Sequence, residues 1–222
     1  MNCKKYLQLI IVCLSLAFPQ AAGASEIGAA EARSWAQDRG NLLLTTFQEK
    51  NLAVKYKKLD ELFLKYVDLD YISKFVIGKH WREMTSEQQR QYQSLFKRYA
   101  LGVYKSFPLT FEEEIKFEIL NADVQPDYTD VAAQIDLGRN FSDASQPPKK
   151  INVVFRLKKN NGIKLVDIKL AESSLILSYR NRFYQMVADA DGDMTWFLED
   201  LETVTVSTEK TNRMKLENAE YQ

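Results

Sequence analysis

The spacing of apolar residues changes twice along this 222-residue chain, and the change limits the folds available to it. Up to Pro108 apolar residues recur every three or four positions, which is typical of amphipathic helices. Between residues 115 and 170 they alternate with polar residues, which predicts strands with one buried side. After Leu175 the helical spacing returns. This order predicts an α+β class, with helices covering the apolar face of a curved antiparallel sheet of about four strands.

Four helices are predicted before the strands. The first covers residues 29–49 and the second Tyr56–Tyr66. The next two form a pair within Val67–Phe107, separated by Gly78, and the rest of the chain is expected to pack against this pair.

The second helix of this pair has its own start signal. Thr85 and Gln88 have the spacing of a capping box, so the helix should begin at Ser86. If it ends at Ser106 it is about 31 Å long, enough to span a small domain. Its aromatic stripe either lines a ligand cavity or forms core, and the spacing alone favours core; the stripe contains Tyr92, Phe96, Tyr99 and Phe107.

The four predicted strands are Ile115–Ile119, Val131–Leu137, Ile151–Leu157 and Gly162–Leu170. Asn160-Asn161-Gly162 predicts a tight hairpin between the last two. Within the fourth strand the alternation shifts between Leu165 and Val166, which indicates a bulge or burial on both faces. A longer loop is expected at residues 140–148.

The C-terminal part returns to helices. One is predicted around Leu175–Met186 and a short amphipathic one at Met194–Leu201. Beyond Ser207 the chain is polar and charged, and we expect it to fray. The sequence therefore predicts a single domain over residues 25–207 and a polar tail over 208–222.

Residues 1–24 have the three parts of a cleavable secretory signal. Lys4 and Lys5 form a positive start, Tyr6–Phe18 is apolar but too short for an ordinary membrane span, and Ala22-Gly23-Ala24 is a cleavage site. The alternative is an uncleaved amphipathic or core helix.

Export would leave a mature chain with no cysteine and nearly balanced charge. Cys3 and Cys13 would leave with the signal, which favours a bacterial periplasm over a disulfide scaffold. Two of the 30 basic residues leave as well, so 28 remain against 30 acidic ones. This balance gives no electrostatic footprint for nucleic acid or for an anionic membrane.

Few residues offer catalytic or metal chemistry. His80 is the single histidine, and its place in a turn beside Trp81 favours a structural or exposed role. Zinc is not expected, because no Cys/His cluster exists. Asp68, Asp70 and Asp167 lie within or beside apolar segments, and a buried carboxylate can act as a general base. The simpler interpretation is that Asp68 or Asp70 caps the next helix and that Asp167 pairs with a nearby Lys or Arg.

Two segments resemble motifs of the MlaC-like family, also known as toluene-tolerance auxiliary proteins. Phe75–Arg82 followed by Met84–Gln88 is similar to that family's F-V-L-G-x-Y-W-R and A-T-P-E-Q motifs. Residues 166–180 are similar to its Y-D-V…E-G-V-S…N-Y-R segment. Glu172 stands where the family has glycine, which predicts altered backbone geometry at this strand-to-helix junction.

The resemblance implies a fold similar to nuclear transport factor 2 (NTF2-like) with an apolar pocket, and a carrier rather than an enzyme. The expected cargo is phospholipid, with no cofactor and no metal. The expected partners are an inner-membrane ABC transporter complex with its MCE-type subunit and an outer-membrane lipoprotein–porin complex. The protein would be a periplasmic monomer that maintains outer-membrane lipid asymmetry.

The lipid-binding residues expected from this resemblance lie on the helix pair and on the strands. They are Ile72, Phe75, Val76, Phe96, Tyr99, Val103, Phe117, Ile135, Val153 and Phe155. Ser174, Tyr179 and Arg180 are expected near the pocket mouth, with Arg180 either a headgroup contact or part of a surface salt bridge. Three alternatives stay open at this point: a carrier of hopanoid-type lipids, an NTF2-like enzyme with an Asp base, and an interaction protein with a filled core.

Overall fold

The computed structural model describes residues 27–106, 115–136, 150–171 and 173–220. The predicted signal sequence, the predicted loop at 140–148 and Glu172 lie outside these residues. Among the described residues, no helix combines the length and apolar character that a membrane span requires.

Helices and strands follow one another as the spacing of apolar residues predicts, and the α+β class is confirmed. The helices before the sheet are α1 (Ala29–Phe47), α2 (Leu52–Tyr66), α3 (Leu69–Ile77), a short 3₁₀-helix (Gly78–Arg82) and α4 (Ser86–Ser106). The strands are β1 (Lys116–Val124), β2 (Thr129–Asp136), β3 (Lys150–Lys159), β4 (Ile163–Leu170) and β5 (Ser173–Ser174). The chain continues with α5 (Leu175–Asp189) and α6 (Met194–Glu220).

The five strands form an antiparallel sheet in chain order, one more than predicted because the two residues of β5 pair with the end of β4. The predicted hairpin is present, with positive φ angles of 49° at Asn161 and 106° at Gly162. The predicted bulge is present as well. Leu165 pairs with Leu157 and Asp167 with Arg156, which leaves Val166 as the extra residue of β4.

Helix α4 begins at Ser86, where its sequence signal places the start. The Gln88 backbone N–H donates to the Thr85 hydroxyl at 3.2 Å, and the Thr85 N–H donates to the Gln88 side chain at 2.9 Å. This reciprocal pair is the predicted capping box, which satisfies two backbone donors at the helix start.

Helix α6 is much longer than predicted, and the expectation that the chain frays beyond Ser207 is wrong. The polar residues of its second half bind α4. Glu209 accepts two hydrogen bonds from Arg98, at 2.9 and 2.8 Å. The buried Asn212 side chain donates to the Gly102 carbonyl at 2.8 Å. Polarity in this segment therefore reflects contacts between helices rather than disorder.

The described residues form two cores. The larger one joins α3, α4, α5 and α6 around Phe183, which is fully buried. The smaller one lies between α1 and the sheet, where Ala32 and Ala36 pack against Val131 and Leu157.

Helix α3 is tied to α5 by a polar cluster at Gly78, which ends α3 with φ 55° and ψ −123°. The Tyr184 hydroxyl accepts hydrogen bonds from the Lys79 N–H at 3.3 Å and from Arg180 at 3.0 Å. Arg180 also donates to the Phe75 carbonyl at 3.4 Å. A Cβ atom at position 78 would collide with the Tyr184 hydroxyl and lie 2.9 Å from the Arg180 guanidinium.

His80 lies in the same turn and makes the structural contacts that its sequence position favours. Its ring is 4.9 Å from the Tyr184 ring, and its Nδ1 is 2.5 Å from the Glu83 carboxylate.

Replacing Gly78 by alanine should lower the free energy of unfolding by about 2–4 kcal/mol, because it adds a clash to an unfavourable φ angle. The matched control is Gly192→Ala, where φ is 79° but no atom lies within 4 Å of the added Cβ. In that control the free energy of unfolding should fall by only about 1 kcal/mol. Urea denaturation of both variants measures the difference, and equal losses would show that the cluster at Gly78 does not constrain α3.

Candidate functional site

A cavity of about 120 Å³ lies between helices α3, α4 and α5 and strand β4. Its helical wall includes Ile72 of α3, Val103 of α4 and Tyr179 of α5. Its strand wall is Leu165, Val166 and Ile168, with Phe63 of α2 closing one side. The walls are almost entirely apolar and aromatic, so the cavity suits a hydrocarbon ligand better than a polar one.

The aromatic stripe of α4 is divided between core and cavity. Tyr92 is fully buried in the larger core, where its hydroxyl donates to the Ser73 carbonyl at 2.8 Å. One, two and three turns further on, Phe96, Tyr99 and Val103 border the cavity. Phe96 and Tyr99 also belong to the larger core, so these two residues of the stripe serve both the core and the cavity.

The bulge at Val166 shapes the strand wall. In a regular strand, neighbouring residues point to opposite faces. The extra residue in β4 breaks this alternation, and four consecutive residues, Leu165–Ile168, border the cavity. The bulge predicted from the sequence is thus part of the site.

Five of the predicted lipid-binding residues meet in the cavity: Ile72, Phe96, Tyr99, Val103 and Tyr179. The structure does not bring the other eight into it. They are Phe75, Val76, Phe117, Ile135, Val153, Phe155, Ser174 and Arg180.

Helix α1 explains the position of the predicted strand residues. Phe117, Ile135, Val153 and Phe155 do belong to the apolar side of the sheet, as Phe117 pairs with Ile135 and the two phenylalanine rings lie 6.0 Å apart. Phe155 packs into the smaller core beneath α1, and Phe117 lies so close to Gly40 of α1 that a Cβ there would collide with it. The predicted face is correct, but a helix covers it.

The predicted residues at the helix ends have structural partners. Val76 is fully buried in the larger core. Phe75 and Arg180 form the cluster at Gly78, where the guanidinium lies 5.1 Å from the Phe75 ring. Arg180 is therefore held in this cluster, and it forms no salt bridge within the described residues.

The two carboxylates nearest the apolar segments cap helices. Asp68 accepts from the Tyr71 N–H at 3.0 Å and caps α3, as predicted. Asp167 borders the cavity, but the predicted ion pair is wrong. Its oxygens accept from the Ser174 hydroxyl at 2.7 Å and from the Ile176 N–H at 3.1 Å, so it binds the N-terminus of α5. Asp70 is exposed. The described residues hold no group of three or more His, Cys, Asp or Glu side chains placed to bind a metal.

Three tyrosines border the cavity, and their hydroxyls differ in partners. The Tyr104 hydroxyl donates to Asp60; burial, and then this bond, raise the pKa of Tyr104. The Tyr99 hydroxyl is buried and has no hydrogen-bond partner among the described residues. Burial raises the pKa of Tyr99, and burial together with the nearby Tyr99 raises the pKa of Tyr179 to about 12. All three hydroxyls are therefore protonated at neutral pH.

Arg182 is a basic residue beside the cavity that the sequence interpretation missed. Its guanidinium carbon lies 5.8 Å from the centre of the Tyr99 ring. The family motif contains Arg180 instead. Helical spacing could have identified Arg182. Residues three apart lie on the same face of a helix, and Arg182 is three residues after Tyr179.

The fold and the cavity define an α+β protein with an internal apolar site between helices and a sheet. The sequence pattern of the family described as MlaC protein matches residues 43–203, well over half of the chain. The chain therefore belongs to the MlaC family.

A solved structure shows the same fold. It is that of the phospholipid-binding protein from Ralstonia solanacearum in complex with a phospholipid, with 18% sequence identity and a TM-score of 0.66. The match covers 80% of this chain and 98% of that one, and it is consistent with the NTF2-like expectation. A comparison with curated proteins gives no significant match.

Replacing Asp167 by alanine should lower the free energy of unfolding by about 2 kcal/mol, because the Ile176 N–H and the Ser174 hydroxyl lose their acceptor. Asp70→Ala is the matched control and should change it by less than about 0.5 kcal/mol, since Asp70 is exposed. Chemical denaturation tests both. A fully stable Asp167→Ala variant would contradict the capping role.

Proposed function

We propose that this protein is a periplasmic phospholipid carrier that holds acyl chains in the apolar cavity. It passes phospholipid between outer-membrane and inner-membrane Mla complexes and so maintains the lipid asymmetry of the outer membrane. The observation that carries the proposal is an apolar, aromatic-walled cavity in a chain of the MlaC family. The phospholipid held by the structural neighbour supports the same class of ligand.

The energetics of lipid transfer explain why a carrier is needed. Each CH₂ group costs about 0.8 kcal/mol to expose, so two acyl chains of about fifteen carbons cost on the order of 20 kcal/mol in water. This value is close to the practical limit of non-covalent affinity. Because a bilayer and a cavity bury the chains about equally well, net direction must come from the partner complexes. The carrier itself needs no cofactor.

The cavity enlarges when lipid enters. Ligand pockets usually measure about 300–1,000 Å³, whereas this cavity is about 120 Å³. Leu165 connects the cavity with the smaller core, because it borders the cavity and also packs into that core beneath α1. Displacement of α1 would join the cavity to the apolar face of the sheet at Phe155. The family match begins at residue 43, so residues 29–42 of α1, the helix that would be displaced, lie before the matched region.

The predicted signal sequence supports a periplasmic location, and family membership supports the two Mla complexes as partners. A hopanoid carrier would use the same cavity. Identification of the bound lipid distinguishes a hopanoid carrier from a phospholipid carrier. An enzyme with an Asp base has no observation in its favour, because both Asp167 oxygens are engaged at the start of α5.

The direct test uses the mature protein purified from a bacterial periplasm. Native mass spectrometry should show a monomer with bound lipid, and extraction should identify phospholipid. Delipidated protein should also take up phospholipid from vesicles. A protein that is empty and accepts no lipid from vesicles would overturn the proposal, and a hopanoid as the bound lipid would replace phospholipid as the cargo.

Replacing Ala100 by phenylalanine should reduce phospholipid uptake about ten-fold, which corresponds to 1.4 kcal/mol. Ala100 borders the cavity, so the added ring occupies space needed by an acyl chain. The matched control is Ala188→Phe, which makes the same change at an exposed position of α5 and should leave uptake unchanged. Native mass spectrometry after vesicle incubation measures both. Normal uptake by Ala100→Phe would place the lipid elsewhere.

A further inference from the structure

We propose that Arg182 and the hydroxyl groups of Tyr99 and Tyr179 bind the phosphate group of a phospholipid at the edge of the cavity. The inference rests on the proposed function and adds to it the residues that hold the polar end of the lipid.

The three side chains lie together where α4 faces α5. Tyr99 and Tyr179 both border the cavity, and their rings meet edge to face with centres 6.0 Å apart. The Arg182 guanidinium lies 5.8 Å from the Tyr99 ring, and the Arg182 side chain is exposed. The group therefore extends from the apolar interior to solvent. A lipid with its acyl chain in the cavity and its headgroup at the edge would follow the same path.

Tyr99 supplies an unused hydrogen-bonding group at this place. Tyr99 is 2% exposed, and within the described residues no group makes a hydrogen bond of normal geometry to its hydroxyl, although the nearby Arg182 guanidinium acts to lower the pKa of Tyr99. A buried polar group without a partner is destabilising, and such groups are rare in native proteins. A ligand oxygen would satisfy this hydroxyl and recover the cost.

Arg182 supplies a positive charge that no acidic side chain of the described residues neutralises. Two other arginines, by contrast, have acidic partners: Arg98 pairs with Glu209 and Arg156 with Asp130. Arg180 is held by Tyr184 and the Phe75 carbonyl. Arg182 lies beside the Tyr99 side chain and has no carboxylate partner among the described residues that would compete with an anion from outside the chain.

A phosphodiester fits these donors. A guanidinium can bind two phosphate oxygens in a bidentate manner. The two hydroxyls stay protonated at neutral pH because burial raises the pKa of both tyrosines, although Arg182 partly opposes this. Free phosphate shares this chemistry, but it would not use the apolar wall formed by the same tyrosine rings. The geometry therefore favours the phosphate of a lipid.

The test compares two lipids that differ only in the phosphate-bearing headgroup. Wild-type protein and Arg182→Gln are incubated with vesicles containing dioleoyl phosphatidylglycerol or dioleoylglycerol, and bound lipid is measured by native mass spectrometry. Arg182→Gln should bind phosphatidylglycerol about ten-fold more weakly and dioleoylglycerol equally well. Arg33→Gln is the matched control, since Arg33 is exposed on α1, and should bind both lipids like wild type.

A second variant, Tyr99→Phe, should change stability and binding in opposite directions. Loss of the unpartnered hydroxyl should raise the melting temperature of the lipid-free protein by about 2–4 °C. The same loss should weaken phosphatidylglycerol binding several-fold while leaving dioleoylglycerol binding unchanged. A lower melting temperature, or unchanged phosphatidylglycerol binding, would count against the hydroxyl as a ligand donor.

The remaining outcomes separate this inference from the proposed function. If wild type and Arg182→Gln bind phosphatidylglycerol equally, the phosphate site is wrong and the carrier proposal stands. If wild type binds neither lipid, both proposals fail. Inorganic phosphate is tested alone by calorimetry, and Arg182-dependent binding of millimolar or tighter affinity would assign the site to free phosphate rather than to lipid.

Discussion

Phe183 holds together the helices that form the cavity. Its buried ring contacts Tyr99 at 5.5 Å and Phe96 at 5.8 Å on α4, and Phe197 at 6.0 Å on α6. Edge-to-face contacts of this kind are worth about 0.5–1.5 kcal/mol each beyond area burial. Because Phe96 and Tyr99 also border the cavity, the same contacts fix both the core and the position of the cavity wall. The site is thus an extension of the core rather than a separate feature.

Much of the fold could be predicted because local signals dictate it. The capping box fixes the start of α4, and Asn161-Gly162 fixes the hairpin. The shift of alternation at Val166 predicts the bulge that builds the strand wall. Helix α6 could not be predicted in this way, because Glu209 and Asn212 look like solvent-exposed residues until their partners on α4 are known.

The candidate site was less predictable than the fold, for a physical reason. Periodicity tells which side of a strand is apolar, but not what covers that side. Phe117 and Phe155 have the predicted orientation, yet α1 covers them. Likewise, the motif that contains Arg180 identifies the family, but this side chain serves the cluster at Gly78. Arg182, which lies outside the motif, faces the cavity tyrosines.

The small volume of the cavity limits its cost to stability. An empty cavity costs about 24 cal/mol per Å³, so 120 Å³ costs about 3 kcal/mol. At the same rate, an empty cavity of about 600 Å³ would cost about 14 kcal/mol, as much as the whole stability of an ordinary domain. The proposed carrier function would therefore require the cavity to contract after lipid release. In this structure the aromatic residues Phe63, Phe96 and Tyr99 border the small cavity, and α1 covers the apolar face of the sheet.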